Sequence, residues 1–186
     1  MKSVKILGIA GSLRKASYNK SLLREAFVLL PENVESEIFD IEGIPSFNQD
    51  LVNSPPDRIK ELKEKVRSAD AILFATPEYN FSIPGVMKNV IDWVSRAEGE
   101  NSWQGKPVAI MSASTGLIGG ERAQLHLRQC FVYLDMHAVN RPEVIVTLAA
   151  QKIDDKGNLT DEHTKEKIKE LLVALVELTK KFSSPF

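Results

Sequence analysis

Near its amino terminus the chain reads VKILGIA (residues 4–10) and continues directly into GSLRKASYN (residues 11–19). The first run is almost wholly apolar, interrupted only by Lys5 and Gly8, which is typical of a strand buried on both faces of a parallel sheet. The second run is rich in hydroxyl and cationic residues and leads into apolar residues with helical spacing. A buried strand, a polar loop and a helix in this order predict the first unit of an α/β fold.

The same alternation of short apolar runs and helical spacing continues along the chain. Further strands are predicted over Glu35–Ile41, Ala71–Ala75, Lys106–Met111 and near Val144–Val146, with Met136–Val139 as another extended candidate. Helices are predicted over Asn19–Leu30, around Ile59–Val66, from a first turn containing Pro84, over Ala123–Leu134 and over Asp161–Lys181. Five βα units in this order predict one parallel sheet with helices on both faces, in a single domain over residues 1–186.

Bulk composition narrows the function classes. The net charge of −1 argues against nucleic acid as the main partner, because phosphate backbones require a strongly basic field. No stretch approaches the ~18 apolar residues of a membrane span, so no membrane association is expected. Cys130 is the only cysteine, which excludes an intrachain disulfide and favours a reducing cytoplasmic setting.

In open parallel sheets, ligands bind outside the carboxyl ends of the strands where the strand order reverses, so the loop after the first strand is a candidate site. Gly11 permits a tight turn close to a ligand, and Ser12, Ser17 and Asn19 supply hydrogen-bonding side chains. Arg14 supplies a permanently charged planar donor suited to phosphate, beside a helix N-terminus. Because neither a Walker nor a dinucleotide-binding glycine pattern is present, a single compact phosphate fits best. The alternative is that Ser17 or Asn19 only caps the helix while Arg14 is solvated.

Two further loops are expected at the same edge of the sheet. Residues 75–85 (ATPEYNFSIPG) bring aromatic, amide and carboxylate groups together, and a planar heterocycle with polar edges fits there. The alternative is a proline-stiffened turn in which Glu78 and Asn80 only secure local backbone. Residues 112–120 (SASTGLIGG) combine glycines and hydroxyls, which permit a ligand to approach the backbone, unless the segment is merely a flexible connector.

Taken together, these segments resemble the NADPH-dependent FMN reductase family, flavodoxin-like flavoproteins that include quinone, chromate and azo-dye reductases. The resemblance rests on Gly11–Arg14 with Ser17 and Asn19, on Pro77–Asn80 with Ser82, Pro84 and Gly85, on Lys88, Asn89, Asp92, Trp93 and Arg96, and on Ser114, Gly116, Gly119 and Gly120. It implies a doubly wound five-stranded parallel sheet with strand order 2-1-3-4-5. It also implies bound FMN, NADPH or NADH as electron donor, small acceptors such as quinones, chromate, azo compounds or free flavin, ping-pong kinetics, and a homodimer or homotetramer.

The resemblance also assigns candidate contacts residue by residue. The FMN phosphate and ribityl chain are expected against Gly11, Ser12, Leu13, Arg14, Ser17, Tyr18 and Asn19; the isoalloxazine edge against Pro77, Glu78, Tyr79 and Asn80; and its other side against Ala113, Ser114 and Gly116. Any contact at Ala113 is expected through its backbone. Tyr79, Phe81 and Gly116 are the candidates for the wall of the acceptor pocket. Because the flavin carries the chemistry, no catalytic side chain is predicted, and no metal site is expected.

Two other classes of protein share this architecture. A non-enzymatic FMN electron carrier shares the fold and the cofactor, but such carriers are usually strongly acidic with a Thr/Gly-rich first loop, whereas this chain is near neutral and has Arg14 there. A phosphorylated signalling receiver needs an acidic cluster after the first strand and an aspartate after the third. Those places hold Gly11-Ser12 and Thr76-Pro77, which disfavours the receiver.

Overall fold

The computed structural model of the protein describes residues 3–96 and 101–183. The strands are β1 (Val4–Ala10), β2 (Val34–Phe39), β3 (Ala71–Thr76), β4 (Pro107–Ala113), β5 (His137–Ala138) and β6 (Val144–Val146). The helices are α1 (Tyr18–Val28), α2 (Asp57–Ser68), α3 (Gly85–Arg96), α4 (Glu121–Leu134) and α5 (Glu162–Ser183). Strands and helices alternate as the sequence predicted, except that β5 and β6 follow one another without a helix between them.

All strand pairs in the sheet are parallel, in the order β2-β1-β3-β4-β5, with β6 also paired to β4. The predicted order 2-1-3-4-5 is therefore confirmed, but the fifth position is shared by two short strands. β5 pairs with the beginning of β4 at Pro107 and Val108, and β6 pairs with its end at Met111–Ala113. Both extended candidates in the sequence, Met136–Val139 and Val144–Val146, thus contribute to one edge of the sheet.

Two apolar cores lie on opposite faces of this sheet. Alternate residues of β3 face opposite cores: Leu73 packs with the α1 and α5 side chains, while Phe74 packs with α2, α3 and α4. Leu22 of α1 and Leu172 of α5 are fully buried on the first face, and Phe131 of α4 is buried on the second. Since both faces are covered, β3 carries no polar residue before Thr76, which is why it reads as a continuous apolar run.

Helix boundaries differ from the predicted ones by one or two residues. α1 ends at Val28 rather than Leu30, and Ser17 caps its start by accepting a hydrogen bond from the Lys20 N–H. Pro84 lies just before α3 rather than inside its first turn, because its carbonyl accepts from the N–H groups of Met87 and Lys88. In both cases the local hydrogen bonds decide the end of the helix, and apolar spacing does not report them.

The reversal of strand order between β1 and β3 defines where a ligand can enter. β1 is flanked by β2 on one side and by β3 on the other, so the chain turns to opposite sides of the sheet after these two strands. Ala10, Thr76 and Ala113 end β1, β3 and β4 at the same edge. The loops that begin at these residues therefore surround one crevice.

Candidate functional site

The loops that follow β1, β3 and β4 line a cleft of about 170 Å³ at the carboxyl edge of the sheet. The lining residues are Ser12, Arg14, Ser17, Tyr18, Asn19, Pro77, Glu78, Tyr79, Ala113, Ser114 and Thr115. Of these, only Thr115 was not among the predicted contacts. The sequence could have indicated it, since it lies between two predicted residues in a hydroxyl-rich loop.

The loop after β1 offers backbone donors to the cleft. Within the described part of the chain, no protein acceptor is found for the N–H groups of Leu13, Lys15, Ala16 and Tyr18. The Ser12 hydroxyl accepts from the Arg14 N–H at 3.3 Å, which holds the loop in a tight turn. Unpaired N–H groups beside a helix N-terminus form an anion-binding arrangement.

Arg14 adds a full positive charge to this arrangement. Its side chain is exposed, its Nη2 donates to the Ala16 carbonyl at 3.1 Å, and its guanidinium carbon lies 5.9 Å from the centre of the Tyr18 ring. One guanidinium edge is thus held by the loop itself. The remaining N–H groups stay available for a phosphate.

The side-chain amide of Asn19 is bonded within the protein. Its side-chain amide donates to the Ala113 carbonyl and accepts from the Ala113 N–H, both at 2.9 Å, and all four groups are buried. The amide therefore connects the first turn of α1 to the end of β4, while Asn19 also lines the cleft, so its contact with a phosphate stays a prediction. The Ala113 N–H and C=O are both bonded to this amide, and the expected contact of a cofactor with Ala113, which lines the cleft, stays a prediction.

Gly11 is constrained by packing within the protein. A Cβ at this position would lie 2.9 Å from Met87 Cε and 3.3 Å from Thr76 Oγ1. Its N–H donates to the Ala75 carbonyl at 2.8 Å, which extends the pairing of β1 with β3. Gly11 therefore permits close packing of the first loop on α3, and it does not line the cleft.

The loop after β3 contains a two-residue hairpin. Tyr79 and Ser82 exchange backbone hydrogen bonds of 3.0 and 2.9 Å, while Asn80 (φ 52°) and Phe81 (φ 64°) take left-handed conformations between them. This is a type I′ turn, which favours asparagine at its first central position. The N–H groups of Asn80 and Phe81 at the tip donate to no acceptor among the residues described. They remain free to bond the edge of a heterocycle.

Glu78 caps a helix that is distant in sequence. Its Oε2 accepts from the backbone N–H groups of Arg122 at 3.0 Å and Ala123 at 3.2 Å in the first turn of α4. Gly120, which precedes that helix, has no side chain to do this. The carboxylate thus satisfies orphan donors and complements the positive end of the helix. Glu78 also lines the cleft, and its expected contact with the edge of a cofactor stays a prediction.

We expect Glu78→Ala to destabilise the protein by roughly 1–2 kcal/mol, because two N–H groups of α4 lose their acceptor. Urea denaturation of the variant and the wild type measures this difference. Glu78→Gln, which keeps an acceptor oxygen, should lose less than Glu78→Ala. Equal losses in the two variants would contradict the capping role.

At its start, the loop after β4 is held by hydrogen bonds within the protein. The Ser114 N–H donates to the Val146 carbonyl at 3.0 Å, and the Ser114 hydroxyl accepts from the Gly116 N–H at 3.1 Å. The Gly116 N–H is therefore occupied, and Gly116 itself lies outside the cleft. Ser114 and Thr115 are the members of this loop that reach it.

The structure thus brings most of the predicted contacts together and leaves a few outside. The residues in the cleft are Ser12, Arg14, Ser17, Tyr18, Asn19, Pro77, Glu78, Tyr79, Ala113 and Ser114; those outside it are Gly11, Leu13, Asn80, Phe81 and Gly116. Leu13, Tyr79 and Phe81 are large apolar side chains exposed near the cleft. Their exposure is what a partly open binding surface for a flat molecule requires.

Other reactive groups lie apart from the cleft. Cys130 is half-buried against the core beneath α4, and burial raises the pKa of its thiol, so the reactive thiolate is disfavoured at neutral pH. No cluster of histidine, cysteine and carboxylate side chains suited to a metal ion occurs within residues 3–96 and 101–183. Over the same residues, none of the helices combines the length and apolar character that crossing a bilayer requires.

Comparison with known proteins places this arrangement among flavoenzymes. Residues 4–151 match the sequence model of the NADPH-dependent FMN reductase family. The chain is 48% identical over 174 residues to an NAD(P)H-dependent FMN reductase of Pseudomonas aeruginosa, covering 92% of this chain and 93% of that protein. It is 44% identical over 185 residues to an NAD(P)H:quinone oxidoreductase of Solanum tuberosum, covering 96% and 94%.

A solved structure agrees at the level of the whole fold. FerB, a flavoenzyme NAD(P)H:acceptor oxidoreductase from Paracoccus denitrificans, superposes with a TM-score of 0.87 at 34% identity. The superposition covers 96% of this chain and 98% of that one. The two chains therefore share the fold over nearly their whole lengths.

Proposed function

This chain belongs to the NADPH-dependent FMN reductase family, and from that premise we propose that it transfers electrons from NAD(P)H through bound FMN to quinones or similar small acceptors. The observation that carries the proposal is the set of unpaired N–H groups around Arg14 at the carboxyl edge of the sheet. Bound FMN supplies the redox chemistry, and the protein supplies its position and electrostatic surroundings. Chromate, azo compounds and free flavin are further acceptors of this proposal.

The phosphate end of the cofactor is proposed to lie in the loop after β1. A compact dianion suits the donors of this loop, which are the guanidinium of Arg14 and the N–H groups of Leu13, Lys15 and Ala16. The N-terminus of α1 adds a favourable electrostatic potential. Ser12 and Ser17 line the same part of the cleft. Asn19 acts indirectly, by fixing α1 against β4.

The redox ring is proposed to lie against the hairpin after β3. Pro77 and Tyr79 form the wall of the cleft there, and the free N–H groups of Asn80 and Phe81 supply donors for a polar ring edge. Ser114 and Thr115 close the other side. Donor and acceptor then use the same exposed surface in turn, beside Tyr79 and Phe81, which gives ping-pong kinetics.

Arg14→Ala tests the phosphate assignment. The variant loses charge-assisted hydrogen bonds of about 1.5–3 kcal/mol, so the Kd for FMN should rise roughly 10- to 150-fold. Fluorescence titration of the apoprotein with FMN measures this Kd. Riboflavin, which lacks the phosphate, should bind wild type and variant with nearly equal affinity. An FMN affinity unchanged in the variant would remove Arg14 from the site.

Arg14→Lys is the matched control for charge. It keeps the positive charge but loses the planar donor fork, so its FMN affinity should fall between those of wild type and Arg14→Ala. The melting temperature of all three apoproteins should agree closely, because Arg14 is exposed and makes only a local bond to Ala16. Different melting temperatures would mean that the loop itself has been disturbed.

We also propose that the protein forms a homodimer or homotetramer. Leu125, Val132 and Tyr133 are exposed apolar side chains along one stripe of α4, which is the kind of surface that a second copy covers. Val132→Glu should shift the mass measured by light scattering toward that of a single chain. A single-chain mass for the wild type would contradict the proposal. We further propose that residues 1–186 form one domain. We also propose that the protein works in the cytoplasm, because a single cysteine, Cys130, suits a reducing setting.

A further inference from the structure

Phe81 is held in an unusual conformation at the rim of the cleft. Its φ of 64° lies in the left-handed region, which a bulky aromatic residue seldom adopts, and 66% of the residue is exposed. Conformations of this kind persist only where the surroundings enforce them, and they are concentrated at functional sites. The hairpin bonds between Tyr79 and Ser82 enforce this one, and the Ser82 hydroxyl is further fixed 2.9 Å from Nδ1 of His126 on α4.

The exposed Phe81 ring is covered by a cation. The guanidinium carbon of Arg122 lies 4.1 Å from the centre of the ring, which is within cation–π distance. The Arg122 side chain is nevertheless 42% exposed. The guanidinium is therefore held against the ring while part of the side chain stays open to solvent.

The charge of Arg122 is only partly compensated. Its one carboxylate neighbour among the residues described is Glu78, at 3.5 Å between Nη1 and Oε1, which is long for a charge-assisted hydrogen bond. The other oxygen of Glu78 is taken by two N–H groups of α4. The other N–H donors of the guanidinium have no partner within residues 3–96 and 101–183.

We propose that Arg122, laid on Phe81, is a specificity-determining residue that binds a negatively charged oxygen group of the molecule entering over the cofactor. The inference rests on the proposed function and deepens it by naming a charge preference. The position fits, because Glu78 joins Arg122 to the cleft wall and Phe81 belongs to the same hairpin as Tyr79. The anionic group belongs either to the acceptor, as an enolate or sulfonate, or to the phosphates of the nicotinamide dinucleotide.

Two acceptors of similar ring size separate charge from reactivity. The kcat/KM for 1,4-naphthoquinone-2-sulfonate, a permanent anion, is divided by that for 2-methyl-1,4-naphthoquinone, which is neutral. In Arg122→Gln this ratio should fall about tenfold relative to wild type, the loss expected for one charge-assisted contact. Because each acceptor is compared with itself across the two proteins, the different reduction potentials of the acceptors cancel.

Two electron donors provide the second arm. NADPH carries phosphates, whereas 1-benzyl-1,4-dihydronicotinamide carries none. If the anion bound by Arg122 is that of the dinucleotide, the ratio of kcat/KM for these donors falls about tenfold in Arg122→Gln while the acceptor ratio stays constant. A fall in either ratio supports the anion-binding role and identifies the source of the anion.

Arg58→Gln is the matched control. Arg58 also stacks on an aromatic ring, 4.2 Å from the centre of Phe39, and pairs with Glu61 on α2, but it does not line the cleft. Its removal should leave both ratios unchanged. Arg122→Lys, which keeps the charge on a flexible stem but loses the planar donor fork, should give ratios between those of the wild type and Arg122→Gln.

Ratios that stay constant in Arg122→Gln, or rates that fall by one common factor for every acceptor and donor, would overturn the inference and leave Arg122 a structural partner of Phe81. In the wild type, kcat/KM for the sulfonate should also decline with ionic strength more steeply than for the neutral quinone. Turnover of the neutral quinone by the wild type shows that the proposed function holds whatever Arg122 does. Its absence would instead refute the proposed function itself.

Discussion

Asn19→Ala is expected to destabilise the protein by about 2–5 kcal/mol, the cost of leaving two buried backbone groups without partners. For a chain of this size, that loss lowers the melting temperature by roughly 5–15 °C. The two groups are the N–H and C=O of Ala113, each bonded to the Asn19 amide at 2.9 Å. Both residues are almost completely excluded from solvent, so water does not replace the lost amide.

The functional consequence follows from where this amide lies. Asn19 is in the first turn of α1, directly after the loop proposed to bind phosphate, and Ala113 is directly before the loop that closes the cleft. The two hydrogen bonds therefore set the distance between two walls of the site. We expect FMN affinity to fall together with stability in Asn19→Ala, although the Asn19 side chain need not touch the cofactor.

Thermal denaturation followed by circular dichroism, with and without saturating FMN, measures both effects. Asn19→Leu restores most of the side-chain volume but no polar partner, so it should remain destabilised if hydrogen bonding rather than packing is the cause. Asn158→Ala is the exposed control, since its amide bonds only to Asp154 at the surface, and it should cost much less. A wild-type melting temperature for Asn19→Ala would rule out the proposed coupling.

The fold could be predicted from the sequence because burial on both faces leaves a clear signal. β1 and β3 are covered by helices on both sides, so their residues form continuous apolar runs whatever the exact register. The edge opposite β2 was harder to predict. β5 and β6 have only two and three residues, too few for a pattern, and the sequence offered both as alternatives where the structure uses both.

The location of the site could be predicted for the same reason, whereas the roles of its polar residues could not. Once the strand order is known, the loops after β1, β3 and β4 must meet, and they do. The sequence cannot tell whether an amide or a carboxylate in such a loop bonds a ligand or the protein. Asn19 finds its partner 94 residues away and Glu78 finds its partners 44 and 45 residues away, distances over which local patterns carry no information.

Among glycine-to-alanine substitutions in the cleft loops, Gly119→Ala is expected to reduce the stability of the protein most. Gly119 has a φ of 67°, and a Cβ there would lie 2.5 Å from Ile145 Cγ2 and 3.2 Å from the Thr147 backbone nitrogen. A left-handed alanine costs about 1–2 kcal/mol and an overpacked contact about 1–3 kcal/mol more. Ile145 belongs to β6, so the clash displaces either that edge strand or the loop that precedes α4.

Gly116→Ala, three residues earlier in the same loop, separates folding from ligand contact. A Cβ at Gly116 meets only Ser114 Oγ at 3.6 Å, and Gly116 is not among the glycines with positive φ, so its stability should change by less than about 1 kcal/mol. Urea denaturation should therefore show a large loss for Gly119→Ala and almost none for Gly116→Ala. If Gly116→Ala folds normally yet binds FMN or acceptor less tightly, the ligand approaches the backbone there, as the sequence first suggested. If the variant also binds FMN and acceptor with full affinity, Gly116 does not contact the ligand. Ser114 and Thr115 are then the residues of this loop that contact it.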